Sequence, residues 1–113
     1  MNIFKLTDST ELSEHHKPYI VAEMNTSHFG NLETAKMMID KAKNAGCDCV
    51  KFQSWSVESL YSKTYYDANP IAKRFVKGFS FDEKELIDVL EYCQKTEIDF
   101  ASTPYSKEEV DFL

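Results

Sequence analysis

Two polar side chains interrupt an apolar run, Cys49-Val50-Lys51-Phe52-Gln53-Ser54. Side chains alternate across a strand, so Lys51 and Gln53 share one face while Val50 and Phe52 share the other. An ammonium and an amide on such a strand are costly unless water or a polar partner meets them. Two further apolar runs end the same way. Glu23 closes Pro18-Tyr19-Ile20-Val21-Ala22, and Ser102 and Thr103 close Ile98-Asp99-Phe100-Ala101. Lys51 supplies a compact positive charge for a phosphate or carboxylate. Gln53 offers donors and an acceptor to a hydroxyl or amide. Thr103, with Ser102 beside it, adds a neutral hydrogen bond to an anionic oxygen. Glu23 either pairs with Lys51, which keeps both groups ionised, or manages a proton or a water. The competing explanation is a Glu23–Lys51 salt bridge with no ligand. Buried pairs add little net stability, and that explanation leaves Gln53 and Thr103 unaccounted for. His28, in the polar stretch Met24–Gly30, is a candidate ligand, acid–base group or loop cap.

The elements that carry these residues follow from periodicity. After Asn31, a plausible N-cap with Glu33 behind it, Leu32, Ala35, Met38, Ile39 and Ala42 recur at helical spacing, and Gly46 stops the helix. The order strand, loop, helix, glycine, strand is a βαβ unit with a parallel pair and a right-handed crossover. Parallel strands are usually covered on both faces, which disfavours a solvated edge for Lys51 and Gln53. A second helix opens at Ser80 with Glu83 or at Asp82 with Glu85, and Phe81 and Leu86 form a hydrophobic staple in the second case. Its expected buried stripe is Leu86, Val89, Leu90 and Cys93. Pro104 closes the third strand, and Ser106-x-x-Glu109 opens a third helix.

Residues 2–16 read as a short strand at Ile3 and Leu6, a turn at Asp8-Ser9, and a polar strand ending at His15-His16-Lys17. Residues 54–80 read as a long, aromatic-rich connection with a short helix at Ile71–Val76. Such connections are often lids or binding loops. This one carries Lys63, Lys73, Arg74 and Lys77 against Glu58 and Asp67, a balance suited to an anion, or it is a surface excursion stapled by its own aromatics.

The expected fold is α/β: the N-terminal portion of a TIM-type (β/α)8 barrel over residues 18–113, preceded by a β-hairpin over 1–17. In such barrels the chemistry sits at the C-terminal strand ends, where Glu23, Lys51, Gln53, Ser102 and Thr103 fall. A complete barrel takes about 250 residues, and the third helix has hardly begun at Leu113. The chain is therefore expected to be a piece of a longer protein.

Composition narrows the function classes. The net charge is −6, with no block of Lys or Arg, which argues against nucleic acid. No apolar run approaches a membrane span and no signal peptide is evident, so a cytoplasmic location is expected. Cys47, Cys49 and Cys93 are odd in number and sit in apolar segments, as small buried hydrophobes in a reducing compartment do.

Three stretches resemble the N-acetylneuraminate (sialic acid) synthase family: Val21-Ala22-Glu23 with His28-Phe29-Gly30, Ala45-Gly46-Cys47-Asp48-Cys49-Val50-Lys51-Phe52-Gln53, and Ser102-Thr103-Pro104-Tyr105. The family patterns are roughly A-E-x-G-x-N-H-x-G, A-G-A-D-x-V-K-F-Q and S-T-P-F. The resemblance implies a phosphoenolpyruvate-dependent condensation with an N-acetylmannosamine-type sugar, giving a nonulosonic acid and phosphate. It implies Lys51 and Thr103 on phosphoenolpyruvate, Gln53 on the sugar and Glu23 at the reacting centre. It also implies a sugar-contacting asparagine in the long connection, for which Asn69 is the candidate. His28 matches the family histidine of the first loop. The family uses Mn²⁺ or Mg²⁺ to polarise the aldehyde, with histidine ligands expected beyond residue 113, and its full-length members are expected to be homodimers. Met24-Asn25-Thr26-Ser27 departs from the pattern: the glycine is lost and Ser27 replaces asparagine. That departure points to a variant sugar, such as a diacetamido or 6-deoxy relative. The rival readings are another phosphoenolpyruvate aldol-type synthase and a non-catalytic sugar-phosphate-binding module.

Overall fold

Strand β4 (Cys49–Ser54) runs parallel to β3 (Val21–Glu23) on one side and to β5 (Asp99–Pro104) on the other. The structure is a computed structural model and describes residues 2–6 and 9–113. The register sets Glu23 beside Lys51 and Lys51 beside Ala101, and Gln53 beside Thr103. Pro104, expected to close the third strand, is its last residue, opposite Ser54.

One face of this sheet is a core. Val50 and Phe52 are fully buried against Ala35, Ile39 and Ala42 of helix α1 (Leu32–Asn44) and Leu86, Val89 and Cys93 of helix α5 (Glu83–Thr96). Each such aliphatic or aromatic side chain contributes about 1.5–3 kcal/mol. The helices start where their capping residues are. Asn31 Oδ1 accepts the Thr34 N–H at 2.8 Å. Asp82 accepts the Glu85 N–H at 2.8 Å while Glu85 accepts the Asp82 N–H at 2.9 Å, so Asp82 with Glu85 is the box, and Phe81 and Leu86 are both buried as its staple. Leu90, expected in the buried stripe, faces outward on α5. The two helices are tied by the Tyr92 hydroxyl, which donates to the Asp40 carboxylate at 2.9 Å.

Residues 57–79 correct the expectation of a largely irregular connection. They form helices α2 (Val57–Leu60), α3 (Lys63–Ala68) and α4 (Pro70–Phe79) around a small core of their own, Trp55, Tyr66 and Val76, with Val57, Leu60 and Phe79 against it. The starts were written in the chain: Ser56 and Ser62 cap α2 and α3, and Pro70 opens α4, where its missing N–H costs nothing. The expected Ile71–Val76 helix lies inside α4. The short helix α6 (Lys107–Phe112) is capped by Ser106, as expected.

At the N-terminus, β1 (Phe4–Lys5) pairs antiparallel with β2 (Glu11–Leu12). The second strand is shorter than expected. His15 and His16 fall in a turn, with the His16 N–H on the Ser13 carbonyl at 3.3 Å. Asp8 of the expected turn lies outside the described residues. No described helix is long and apolar enough to cross a membrane.

Two glycines separate close approach from backbone freedom. Gly46 ends α1 at φ +89° with open space where a Cβ would go, whereas Gly30, at φ +70°, would drive a Cβ into the Gly78 carbonyl at the end of α4. Gly46→Ala is expected to cost about 1–2 kcal/mol of backbone strain. Gly30→Ala adds a backbone collision and is expected to cost about 3 kcal/mol or more. Urea unfolding of the two variants side by side checks the ranking, and equal losses would refute the Gly30–Gly78 contact.

Candidate active site at the strand ends

Strand alternation and register place Glu23, Lys51, Gln53 and Thr103 on one face, opposite the core. Lys51 Nζ lies 3.6 Å from Glu23 Oε2, with the two side chains 42% and 44% exposed. Glu23 Oε1 accepts the Asn25 N–H at 3.1 Å. An ion pair this open contributes no more than about 1 kcal/mol. It does not hold the strands together; the core on the other face does. What the pair provides is an oriented ammonium and an oriented carboxylate side by side. One step further along the strands, Gln53 Oε1 accepts the indole N–H of Trp55 at 3.3 Å.

The same face continues toward the strand beginnings with residues that the sequence pattern did not single out. The Tyr19 hydroxyl donates to Asp99 Oδ2 at 2.5 Å, and Cys49 stands next to Asp99 in register. Together with Leu6, Val21 and Lys51 they line a hollow of about 390 Å³. Burial and the bond to Asp99 push the Tyr19 phenol above its usual range. Burial also raises the Cys49 thiol, against the opposing influence of the neighbouring Tyr19 hydroxyl. Cys49 is therefore a neutral thiol at physiological pH, a wall of the hollow and not a nucleophile. Counting back by two from Lys51 and from Ala101 reaches Cys49 and Asp99, so alternation alone would have found both.

Three expected members stand elsewhere. Ser102 shares the core face with Phe52, where its Oγ lies 2.6 Å from Ser54 Oγ; adjacent positions in a strand cannot both face the site. His28 is buried, stacked on Phe81 at 4.0 Å and 6.0 Å from the Phe52 ring. Its Nδ1 accepts the Gly30 N–H at 2.9 Å, and it also bonds the backbone of Asn25. Both bonds close its own loop, so His28 organises that loop. Asn69 sits at the joint of α3 and α4 and donates from Nδ2 to the Tyr65 carbonyl at 3.0 Å.

A larger hollow, about 500 Å³, opens on the helix side, bounded by Phe81, Leu86 and Phe112. Its rim carries Glu58, Asp82, Glu83, Glu108 and Glu109, carboxylates that disfavour an anion there. Two of them are already engaged: Asp82 caps α5, and Glu109 accepts from the Ser59 hydroxyl at 2.7 Å and from the Tyr105 N–H at 3.0 Å. Among the described residues no three His, Cys, Asp or Glu side chains converge to hold a metal ion. The divalent metal implied by the resemblance thus finds no ligand set among them.

Residues 38–113 match the model of the NeuB family. The chain belongs to the NeuB family. It is 29% identical over 103 residues to N-acetylneuraminate-9-phosphate synthase of Drosophila melanogaster, covering 84% of this chain and 28% of the relative. It is 30% identical over 104 residues to N,N'-diacetyllegionaminic acid synthase of Legionella pneumophila, covering 84% and 29%. The fold matches the crystal structure of N-acetylneuraminic acid synthetase from Leptospira borgpetersenii in complex with citrate, with a TM-score of 0.86 at 28% identity, covering 99% of this chain and 37% of that one. This NeuB-family chain thus spans less than a third of these curated relatives. It has an α/β fold with a parallel sheet, similar to that of a sialic acid synthetase.

The first loop of this NeuB-family chain has a special backbone at Asn25. Asn25 stands where the family pattern has glycine, and it adopts φ +48°. Asparagine is among the few side chains that enter the left-handed region readily, so the turn that presents its N–H to Glu23 is open to it.

Burial holds the His28 imidazole below the ordinary histidine value of about 6.5. The folded state therefore favours the neutral ring, and its stabilisation is complete above about pH 6.5 and lost as pH falls below that value. Thermal melts between pH 7.5 and 5 should show a decline that is shallower in His28→Gln. An equal decline in the two proteins would mean that His28 is not the group responsible.

Proposed function

We propose that the protein carrying this chain condenses phosphoenolpyruvate with an open-chain N-acetylmannosamine-type sugar, giving a nonulosonic acid and inorganic phosphate, on a (β/α)8 barrel of which this sheet is part. The observation that carries the reading is the juxtaposition at the strand ends of a NeuB-family chain. Lys51 and Glu23 lie 3.6 Å apart, and Gln53 and Thr103 stand beside each other one step outward on the same face.

The chemistry asks for these groups. Phosphoenolpyruvate brings a carboxylate and a phosphate. Lys51 neutralises one of them as a point charge, and the Thr103 hydroxyl donates to an adjoining oxygen. The enol carbon C3 attacks the sugar aldehyde, forming the new carbon–carbon bond as the aldehyde C=O π bond opens to a hydroxyl by taking up a proton, which the added water returns in the next step. Water then adds at C2, and phosphate leaves by cleavage of its C–O bond. Glu23, steadied by the Asn25 N–H and the Lys51 ammonium, is a carboxylate acceptor for the proton of that water. Gln53 bonds the sugar. The relatives named for N-acetylneuraminate-9-phosphate and for diacetyllegionaminic acid support a sugar of this class. The Asn25–Ser27 departure favours the diacetamido or 6-deoxy variants.

Phosphate release from phosphoenolpyruvate in the presence of N-acetylmannosamine or a diacetamido sugar, with Mn²⁺ added, tests this in the full protein carrying the chain. Lys51→Ala should lower kcat/KM for phosphoenolpyruvate about a hundredfold, as expected for loss of a charge-assisted contact. Unchanged turnover would remove Lys51 from the site. Binding of phosphoenolpyruvate with no turnover for any sugar would favour the binding-module reading.

A further inference from the structure

Trp55 is the only tryptophan in the chain. It is buried just past the end of β4 in the small core with Tyr66 and Val76, and its indole N–H reaches Gln53 Oε1 at 3.3 Å. An indole nitrogen can only donate, so the Gln53 atom that meets it must be the carbonyl oxygen. That contact settles which way the amide points, because the oxygen is held toward the indole and the NH₂ is left for the open side.

The indole packs in that small core. The Tyr66 hydroxyl donates to the Val57 carbonyl at 2.6 Å, tying α3 to α2, and Val76 of α4 is buried in the same core. This small core packs around the residue that grips Gln53.

We propose that Trp55 is a positioning residue. Its indole N–H fixes the Gln53 amide so that the site offers the sugar hydrogen-bond donors, selecting an acceptor oxygen such as a hydroxyl or an N-acyl carbonyl, while helices α2–α4 hold the indole in place. The inference rests on the reading of Gln53 as a sugar contact and goes beyond it by assigning the amide's direction and its cause. A rotating amide presents an acceptor half of the time; a clamped one presents only donors. The clamp therefore acts on sugar affinity and leaves the phosphoenolpyruvate side, carried by Lys51, alone.

Steady-state kinetics of the full protein carrying the chain test the clamp with three variants: Gln53→Ala, Trp55→Phe, and replacement of Trp55 by 3-benzothienylalanine. The last substitution keeps the shape of the indole and removes only its N–H, so it answers for any folding defect of the phenylalanine variant. Both Trp55 replacements should raise the KM for the sugar about five- to tenfold, the loss expected for one neutral hydrogen bond. The KM for phosphoenolpyruvate should stay within about twofold. Adding Trp55→Phe to Gln53→Ala should have no further effect on the sugar KM, because the group being positioned is gone. A raised sugar KM in Gln53→Ala with no change in the benzothienyl protein would overturn the positioning role while leaving the site reading intact. An unchanged sugar KM in Gln53→Ala would overturn both.

Discussion

The two-sidedness of β4 is the constraint on which the rest depends. Burial of Val50 and Phe52 between α1 and α5 fixes which face of the strand is inside, and a slip of one residue would exchange Phe52 for Lys51 in the core. That exchange forfeits apolar burial and strands an ammonium among Ile39, Val89 and Cys93, a cost of several kcal/mol. The register that follows brings Glu23 to Lys51 and Thr103 to Gln53. A weak and exposed ion pair can thus be placed accurately, because its geometry is paid for on the other side of the sheet.

The loops above the strand ends are coupled for a related reason. The turn after β3 passes through left-handed backbone at Asn25, Phe29 and Gly30, and His28 closes it with bonds to its own backbone. Gly30 then lies against the Gly78 carbonyl, and the Phe29 ring meets Phe79 edge-on at 5.5 Å. The loop that steadies Glu23 and the helical excursion that steadies Gln53 therefore touch each other.

Much of this was legible in the chain, and the limits have physical causes. The parallel order, the caps at Asn31 and Asp82 and the shared face of Lys51 and Gln53 follow from local patterns with few competing solutions. Ser102 was misplaced because strand ends were grouped by position, whereas alternation assigns each neighbour to the opposite face. His28 was read by residue type, and what decides its role is the pair of aromatic rings that enclose it, a tertiary fact. The helices of residues 57–79 were underread because their apolar positions are few and largely aromatic. Their evidence was in the capping serines and Pro70, a weaker signal than a stripe.

The open face carries the last consequence. At 3.6 Å in water, the Lys51–Glu23 attraction is worth about 1 kcal/mol, and it grows several-fold as the surroundings become less polar. Parallel sheets are usually covered on both faces, and here the helices α1 and α5 cover one of them. Whatever covers the other face, a ligand or further protein, removes water from Lys51, Gln53 and Thr103 together. The same event strengthens the Lys51–Glu23 attraction and makes any unmatched polar group in the row costly. The electrostatic and hydrogen-bond terms at these strand ends thus change in one step, through the exclusion of water from a polar row whose opposite side is already dry.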